Sequence, residues 1–188
     1  PINDAPRPNS NSYTIYEDET LSGVSVADND SDVDNLSSEL SYRVAVTDSS
    51  TAGQHGIIEL NNEGSLIFTP EPDYNGAVYF IYTVCDPGPL CATDTVYINI
   101  IPVNDAPRAI ADTFYVSEEE TISYHNFTAN DYEVDGDAFT ATHVNDDTSK
   151  ELSTTYGNLV WDEDGNITFT LNEGIDTLAA GESVQETF

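Results

Sequence analysis

Positively charged side chains are nearly missing from this chain. Of its 188 residues, only 4 are Lys or Arg, whereas 35 are Asp or Glu, so the formal net charge is −31. The one lysine is Lys150. Recognition of phosphate groups needs clustered Lys and Arg side chains. The composition therefore excludes nucleic acid and anionic membrane surfaces as natural partners.

Long apolar runs and helical periodicity are missing too. No run approaches the ~20 apolar residues that a membrane-spanning helix needs, so we expect no membrane insertion. Apolar residues instead alternate with polar ones, as at residues 40–46 and 95–101. This alternation is typical of half-buried strands, and turn signals recur about every ten residues. The pattern predicts an all-β fold made of β-sandwiches.

The chain repeats itself at a fixed offset. The letters Asn-Asp-Ala-Pro occur at residues 3–6 and again at 104–107, an offset of 104 − 3 = 101. The same offset pairs the acidic turn 17–20 with 118–121, and it pairs Phe68-Thr69 with Phe169-Thr170. A fixed period is the signature of an array of modules. We therefore predict two domains, 1–103 and 104–188, and we expect the second to lack its C-terminal strands.

Cysteine is scarce, and its two copies are close in sequence. Cys85 and Cys91 stand at the two ends of a Pro-Gly connection between two predicted antiparallel strands. That geometry brings Cα atoms within disulfide reach. A metal site is the alternative, but no His accompanies the pair at zinc-like spacing. We predict a disulfide, and a disulfide indicates an oxidising compartment outside the cytoplasm.

Catalytic motifs are lacking. His55, His125 and His143 stand in three unrelated contexts, and no nucleophile elbow, metalloprotease helix or phosphate loop occurs. In so acidic a chain a pair of carboxylates carries almost no information about glycoside chemistry. Trp161 and the 11 tyrosines could form a sugar-stacking face or could belong to the sandwich core. We expect no enzymatic activity.

The order of the motifs resembles a cadherin-type repeat. An acidic turn at 17–19, a loop at 27–32, the strand pattern at 40–44, the run 84–89 and the linker 103–107 follow one another as in bacterial versions of that repeat. Repeats joined by an Asn-Asp-Ala-Pro linker are common in large bacterial surface adhesins and in extracellular multidomain enzymes. The resemblance implies two tandem cadherin/immunoglobulin-like Greek-key β-sandwiches, the second of them C-terminally incomplete.

The resemblance also implies calcium at the linker and at the module ends. Calcium takes six to eight hard oxygen ligands from carboxylates, Asn side chains and carbonyls. One departure is Ala129, which stands where the first module has Asp28, and a third acidic motif is only loosely matched at 71–73. The residues that match the implied calcium ligands are Glu17, Glu19, Asp86, Asn104, Asp105, Asn130, Asp131, Glu133, Asp135 and Asp137, with Asp86 assigned to the same joint.

Two other interpretations of these acids stay open. Acidic loops are often merely solvated, and a halophilic protein carries acids over its whole surface. A halophilic surface would place acids on strands as well, yet 78–84 and 95–101 contain none. The acidic turn, acidic loop and linker recur together at one offset, and without a cation they would repel one another. The pattern therefore favours Ca²⁺ as the bound ion.

These observations predict a structural and adhesive role. The two modules would be calcium-stiffened stalk repeats of a large extracellular bacterial adhesin at the cell surface. Their partners would be neighbouring repeats of the same polypeptide, with glycans or another cell surface as further partners. The alternative is an accessory or carbohydrate-binding portion of a secreted multidomain hydrolase. Flanking sequence separates the two, because further repeats indicate a stalk and a catalytic domain indicates an enzyme.

Overall fold

The structure is a computed structural model, and it describes residues 2–45, 51–115, 122–142, 144, 149–173 and 183, with only the backbone for 122–124. The chain divides into two compact units, Pro1–Val103 and Asn104–Phe188. No helix in the described ranges is long and apolar enough to span a membrane. The strands are β1 Asn11–Tyr16, β2 Leu21–Ser25, β3 Ser41–Val44, β4 Gly56–Leu60, β5 Ser65–Pro70, β6 Gly76–Cys85, β7 Cys91–Ile101, β8 Ile122–Asn126, β9 Glu151–Ser153, β10 Gly157–Trp161 and β11 Asn166–Leu171.

Unit one is a sandwich of two sheets. One sheet has the order β1-β7-β6-β3 and the other has the order β2-β5-β4. All neighbours are antiparallel except β1 and β7, which run parallel. The only helical pieces in this unit's described residues are two short 3₁₀ turns, Val26–Asn29 and Ser37–Glu39. The predicted all-β fold is confirmed.

The core of unit one lies between the inward faces of the two sheets. Phe80 and Tyr82 on β6 are fully buried, and so are Leu66 and Phe68 on β5. Each pair is separated by one residue, because alternate residues of a strand point to the same face. The alternation that predicted these strands therefore also identifies the residues that form the core.

Two strand boundaries differ from the sequence-based ones. Strand β3 covers Ser41–Val44 of the predicted 40–46, and the residue at position 46 lies outside the described residues. Strand β7 begins at Cys91 rather than at residue 95, because it pairs with β6 continuously as far as Cys85 opposite Cys91. The predicted disulfide joins this last pair, whose Cα atoms are 4.1 Å apart.

Unit two repeats one sheet of unit one. Its described sheet has the order β8-β11-β10-β9, and β8, β11 and β10 stand 101 residues after β2, β5 and β4. Equivalent glycines sit in both sheets: a Cβ on Gly56 would lie 2.5 Å from the Thr69 carbonyl oxygen, and one on Gly157 would lie 2.6 Å from the Thr170 carbonyl oxygen. The core of this sheet is Leu159, Trp161, Ile167 and Phe169. The expected loss of the last strands concerns residues that are, apart from 183, outside the described part of the chain.

A buried carboxylate ties the loop after β2 to the core of unit one. Asp30 is 7% exposed and accepts hydrogen bonds from the Tyr82 hydroxyl at 2.9 and 3.0 Å. The backbone N–H of Asn9 also donates to it, at 2.8 Å. Burial raises the pKa of Asp30 above its usual value, the two hydrogen bonds oppose that rise, and the charge of Asp94 adds to it. The loop is therefore held by a charged group that is costly to desolvate.

This carboxylate predicts a pH-dependent contribution to stability. Because its pKa is higher in the folded state, the folded chain binds a proton more readily than the unfolded chain. The contribution of Asp30 to stability is therefore greatest below the ordinary Asp pKa of about 3.9, and it declines as pH rises through the folded-state pKa. Relative to wild type, Asp30→Asn should gain stability as pH rises from about 3.5 to 7. Urea unfolding in chelator measures the difference. Glu63→Gln, at an exposed turn, serves as the control, and a flat Asp30→Asn difference contradicts the assignment.

The disulfide predicts a modest stabilisation of unit one. Closing a loop of this length is worth about 2 kcal/mol in the chain-entropy description. The double variant Cys85→Ala, Cys91→Ala should therefore lower the free energy of unfolding by about 2 kcal/mol in urea titrations. A reducing agent should destabilise the wild type by a similar amount and leave the variant unchanged. Equal sensitivity of both proteins to the reducing agent would contradict the expectation.

Candidate metal centre

The start of unit two is bound to its acidic loop by backbone-to-carboxylate hydrogen bonds. The N–H of Asp105 donates to Asp135 Oδ2 at 2.7 Å, and the N–H of Ile110 donates to Asp131 Oδ1 at 2.7 Å. Between these contacts Arg108 and Tyr132 form an antiparallel bridge. The linker residues and the acidic loop therefore lie side by side, as the predicted site requires.

The start of unit one has the same arrangement. The N–H of Asp4 donates to Asp34 Oδ2 at 2.8 Å, and Arg7 and Ser31 form the corresponding bridge. The N–H of Asn9 donates to Asp30, in the same way as Ile110 donates to Asp131. Every one of these residues stands 101 positions before its equivalent in unit two. The offset found in the sequence is thus reproduced, contact by contact, in the structure.

One carboxylate in each of these loops has an enclosed oxygen that no hydrogen-bond donor among the described residues reaches. In unit one the residue is Asp32, whose Oδ1 accepts the N–H of Asp34 at 2.8 Å. In unit two it is Glu133, whose Oε2 accepts the N–H of Asp137 at 2.7 Å. Asp32 Oδ2 and Glu133 Oε1 are enclosed and have no partner among the described residues. A buried carboxylate oxygen without a donor is costly, and a bound cation would satisfy it.

Hydrogen bonding keeps the carboxyl group of Asp32 charged. The backbone N–H of Asp34 is the largest cause of its lowered pKa, and Asn35 lowers the pKa further through its side chain and backbone. Hydrogen bonds to the charged form of a carboxyl group favour that form. Asp32 is therefore ready to act as an anionic oxygen ligand.

Asp86 lies at the end of unit one that contains Asn3, which corrects its sequence-based assignment to the joint with unit two. Its Oδ2 accepts the side-chain amide of Asn3 at 2.7 Å, and its Oδ1 accepts the N–H of Leu90 at 3.0 Å. Strand β6 ends at Cys85, just before Asp86, whereas its first residue, Gly76, pairs with Ile100. Ten residues of strand, about 30 Å, therefore separate Asp86 from the end of the unit that leads to Val103.

A second acidic group lies at that far end of unit one. Glu17 is buried, its Oε1 accepts the backbone N–H of Val103, and its Oε2 accepts the Asn75 side-chain amide at 3.4 Å. The neighbouring Asp18 accepts the N–H of Asp73 at 3.2 Å. One carboxylate oxygen of Glu17 is therefore hydrogen-bonded to the backbone of Val103, the last residue of the unit.

The remaining predicted ligands are placed less specifically. Glu19 turns back on its own turn, where its Oε2 accepts the N–H of Tyr16 at 3.3 Å. The Asn104 side chain donates to the Asp105 carbonyl oxygen at 3.1 Å. Asn130 and the side chain of Asp137 are exposed. A role as ligand stays a prediction for each of these residues.

The sequence analysis missed some of the residues that complete these groups. At the start of unit one they are Asn3, Asp4, Asp32 and Asp34, and at its far end they are Asp18 and Asp73. The signal for the first set was present, because subtracting 101 from the predicted ligands of unit two yields Asn3, Asp4, Asp32 and Asp34. Asp18 and Asp73 are 55 residues apart and come together only through the fold.

The donor set fits a hard cation. The residues gathered at the start of each unit offer carboxylate and amide oxygens, which calcium prefers, and no nitrogen or sulfur ligand is among them. In unit one the set is Asn3, Asp32, Asp34 and Asp86, and in unit two it is Asn104, Glu133 and Asp135. Among the described residues no basic side chain forms a salt bridge with any of these carboxylates, because the salt bridges found there are His55–Glu71 and Lys150–Glu163.

Comparisons with known proteins agree with the architecture. A family model described as bacterial cadherin-like domain matches residues 3–102, and one described as bacterial Ig domain matches residues 104–185. A search among curated proteins finds no match to the chain.

Several solved structures resemble the chain at low sequence identity. One is protocadherin gamma B2, extracellular cadherin domains 1–5, with 17% identity and a TM-score of 0.48 over 91% of this chain. Another is mouse protocadherin-24 EC1-3, with 19% identity and a TM-score of 0.48 over 89% of this chain. The chain spans 33% of the first of these structures and 58% of the second.

The first family model covers more than half of the 188 residues. It coincides with unit one, whose seven strands form the sandwich described above, and the second model coincides with unit two. The chain therefore belongs to the bacterial cadherin-like domain family, with a module similar to a bacterial Ig domain following in tandem.

Proposed function

We propose that the two units are calcium-binding spacer modules of a large extracellular bacterial surface protein, and that bound calcium stiffens the chain where one module follows the next. The proposal rests on an arrangement that occurs twice, at an offset of 101 residues. In each unit a backbone N–H of the Asn-Asp-Ala-Pro segment donates to a carboxylate of the acidic loop, and the same loop has one enclosed carboxylate oxygen without a donor in the described part of the chain. Asp4 and Asp34 form this contact in unit one, and Asp105 and Asp135 form it in unit two. The role is structural rather than catalytic, as is typical of such modules.

Charge gives calcium its effect on stability. Asp32 and Asp34 belong to one loop, Asp34 accepts the N–H of Asp4, and the preceding residue, Asn3, donates to Asp86, so these three carboxylates lie at the same end of the unit. Without a cation these charges repel one another, and with one they become ligands. Binding to the folded state alone then adds free energy of unfolding by mass action.

The linker gives calcium its effect on rigidity. Val103 is hydrogen-bonded to Glu17, and Asp105, two residues later, is hydrogen-bonded to Asp135. Cations that hold these two carboxylates in place would also restrict the backbone between them. An adhesive stalk needs modules whose connections do not fold back, and this restriction would provide it.

A secreted hydrolase with accessory modules is the second candidate. Its parent chain would contain a catalytic domain, whereas an adhesin would contain further Asn-Asp-Ala-Pro repeats. The sequence on either side of residues 1–188 separates the two. Calcium binding by these units is expected in both cases.

Calcium should raise the thermal stability of the chain. Extracellular modules bind calcium with Kd of about 10⁻⁴ to 10⁻³ M, so calcium at 100 times Kd adds about 2.7 kcal/mol per site. The melting temperature should rise on titration with calcium and fall with chelator. Asp34→Asn and Asp135→Asn should each reduce the increase, whereas Glu59→Gln, on the outward face of β4, should not. A melting temperature equal in calcium, magnesium and chelator would contradict the proposal.

Calcium should also narrow the distribution of distances between the two units. Fluorophores on one surface position of each unit report that distribution by single-molecule energy transfer. We expect a single narrow peak in calcium and a broader distribution in chelator, because repulsion then acts on an unrestrained linker. Glu17→Gln should broaden the distribution in calcium without unfolding either unit. The same distance distribution in calcium and in chelator would contradict the proposal and would indicate that these acids are merely solvated.

A further inference from the structure

The outward face of the sheet β1-β7-β6-β3 is a continuous surface in unit one. Tyr97 pairs with Ser12 on one side and with Tyr79 on the other, so the three side chains share this face. The pairing of Tyr16 with Ile101 extends the face towards one end. At β3 Arg43 pairs with Thr83 and donates to Cys85 Sγ, and Thr83 and Cys85 are buried, so the exposed part of the face lies on β1, β6 and β7. Directly paired residues point to the same side of a sheet, so the register alone defines the members of this surface.

No carboxylate stands at the outward positions of these four strands over the ranges that the structure describes. The outward positions are 12, 14 and 16 on β1, 41 and 43 on β3, 77–85 (odd positions) on β6 and 91–101 (odd positions) on β7, and none is Asp or Glu. Asp94, the one acid within these strands, pairs with buried Tyr82 and therefore points inward. The one charged side chain on the face is Arg43. In a chain with 35 acidic residues, this surface is nearly neutral.

Its exposed groups are amphipathic rather than apolar. Tyr16 is 50% exposed and Tyr97 is 52% exposed. Tyr97 stands four residues before Ile101, the partner of Tyr16, so the backbone positions of the two tyrosines are about 13 Å apart along the strand direction. Thr95 and Asn99 flank Tyr97 with a hydroxyl and an amide. Tyrosine offers a large rigid contact area with a polar end, and these neighbours add hydrogen-bond donors and acceptors.

Charge decides which partner suits this face. A polyanion is repelled by a net charge of −31, and a second copy of the chain is repelled in the same way. A polycation is drawn to the acidic loops at the ends of the unit rather than to this surface. A neutral polysaccharide is neither repelled by the net charge nor drawn to the acidic loops. Its sugar rings can stack their C–H faces on tyrosine rings, and its hydroxyl groups can hydrogen-bond to Thr and Asn side chains.

We propose that the outward face of β1-β7-β6-β3 in unit one binds a neutral polysaccharide, with Tyr97 and Tyr16 as stacking residues. The site spans several sugar units, because the backbone positions of Tyr16 and Tyr97 are about 13 Å apart along the strand direction. Tyr97 lies in the middle of β7 and belongs to neither acidic group, whereas Tyr16 directly precedes Glu17 and its N–H donates to Glu19. Tyr97 therefore provides the test of this face that is independent of the calcium role proposed above.

Affinity electrophoresis in native gels tests this face directly. The gels contain a soluble β-glucan, a dextran, a galactomannan or, as the charged comparison, alginate, and each is run in calcium and in chelator. We expect at least one neutral polysaccharide to retard the chain under both conditions, and alginate to have no effect. Retardation by none of the neutral polysaccharides overturns the proposal, and so does retardation by alginate alone.

Substitutions locate the binding on the sheet face. Tyr97→Ala should raise the dissociation constant about tenfold, as truncation of an aromatic contact residue does. Tyr115→Ala is the matched control, because Tyr115 is 94% exposed and lies in unit two. Asn99→Asp tests the neutrality of the face without removing volume, and it should also weaken binding. Binding that survives both Tyr97→Ala and Asn99→Asp, in variants with unchanged melting temperature, overturns the assignment.

Self-association is the competing outcome. Sedimentation velocity over a range of concentrations reports whether a second copy covers the face instead. A dimer that is lost in Tyr97→Ala would overturn the glycan proposal, and a monomer at all concentrations supports it. Neither the gel retardation by polysaccharide nor the sedimentation measurement requires calcium. A negative result for polysaccharide binding therefore does not bear on the calcium proposal, and a negative result for calcium binding does not bear on the polysaccharide proposal.

Discussion

Repulsion among 35 carboxylates, opposed by only 4 basic side chains, is the constraint to which the rest of this molecule is adapted. A sheet brings neighbouring side chains within about 5 Å of one another, so like charges that face one another across strands are destabilising. The acids of unit one are accordingly gathered in loops and turns, with Asp94 and Glu59 as the exceptions within its strands. The sandwich can then form with few internal charge conflicts.

Carboxylates that are gathered in loops each need a hydrogen-bond donor. Backbone N–H groups are the donors in many cases, as in the contacts of Asp4 with Asp34 and of Asp105 with Asp135. The Tyr82 hydroxyl is a donor to the buried Asp30. Asp32 and Glu133 each keep one enclosed oxygen that no described donor reaches. Both units therefore use backbone N–H groups as donors to their carboxylates, and both retain one enclosed oxygen without a donor among the residues that the structure describes. A bound cation would satisfy that oxygen in each unit.

The separation of charge also divides the surface of unit one into parts with different chemistry. Its ends are anionic and suited to cations, whereas the outward face around Tyr97 has no carboxylate and suits a neutral partner. Tyr97 lies in the middle of β7, six residues before Val103, whereas Tyr16 directly precedes Glu17, so Tyr97 is the position at which the face can be altered without changing the acidic ends. A module of a long surface protein could in this way use its ends for stiffness and its side for contact.

Much of this was determined by the sequence alone. The offset of 101 and the alternation of apolar residues predict the repeated strands, and the spacing of Cys85 and Cys91 predicts their bond, because these are local or periodic signals. Only the tertiary structure decided that Asp86 lies beside Asn3 rather than towards Val103, and that Tyr16, Tyr79 and Tyr97 share one face. The physical reason is register: the period of a strand says which side chains point the same way within it, whereas the pairing between strands, set by packing over the whole sandwich, decides which of them meet.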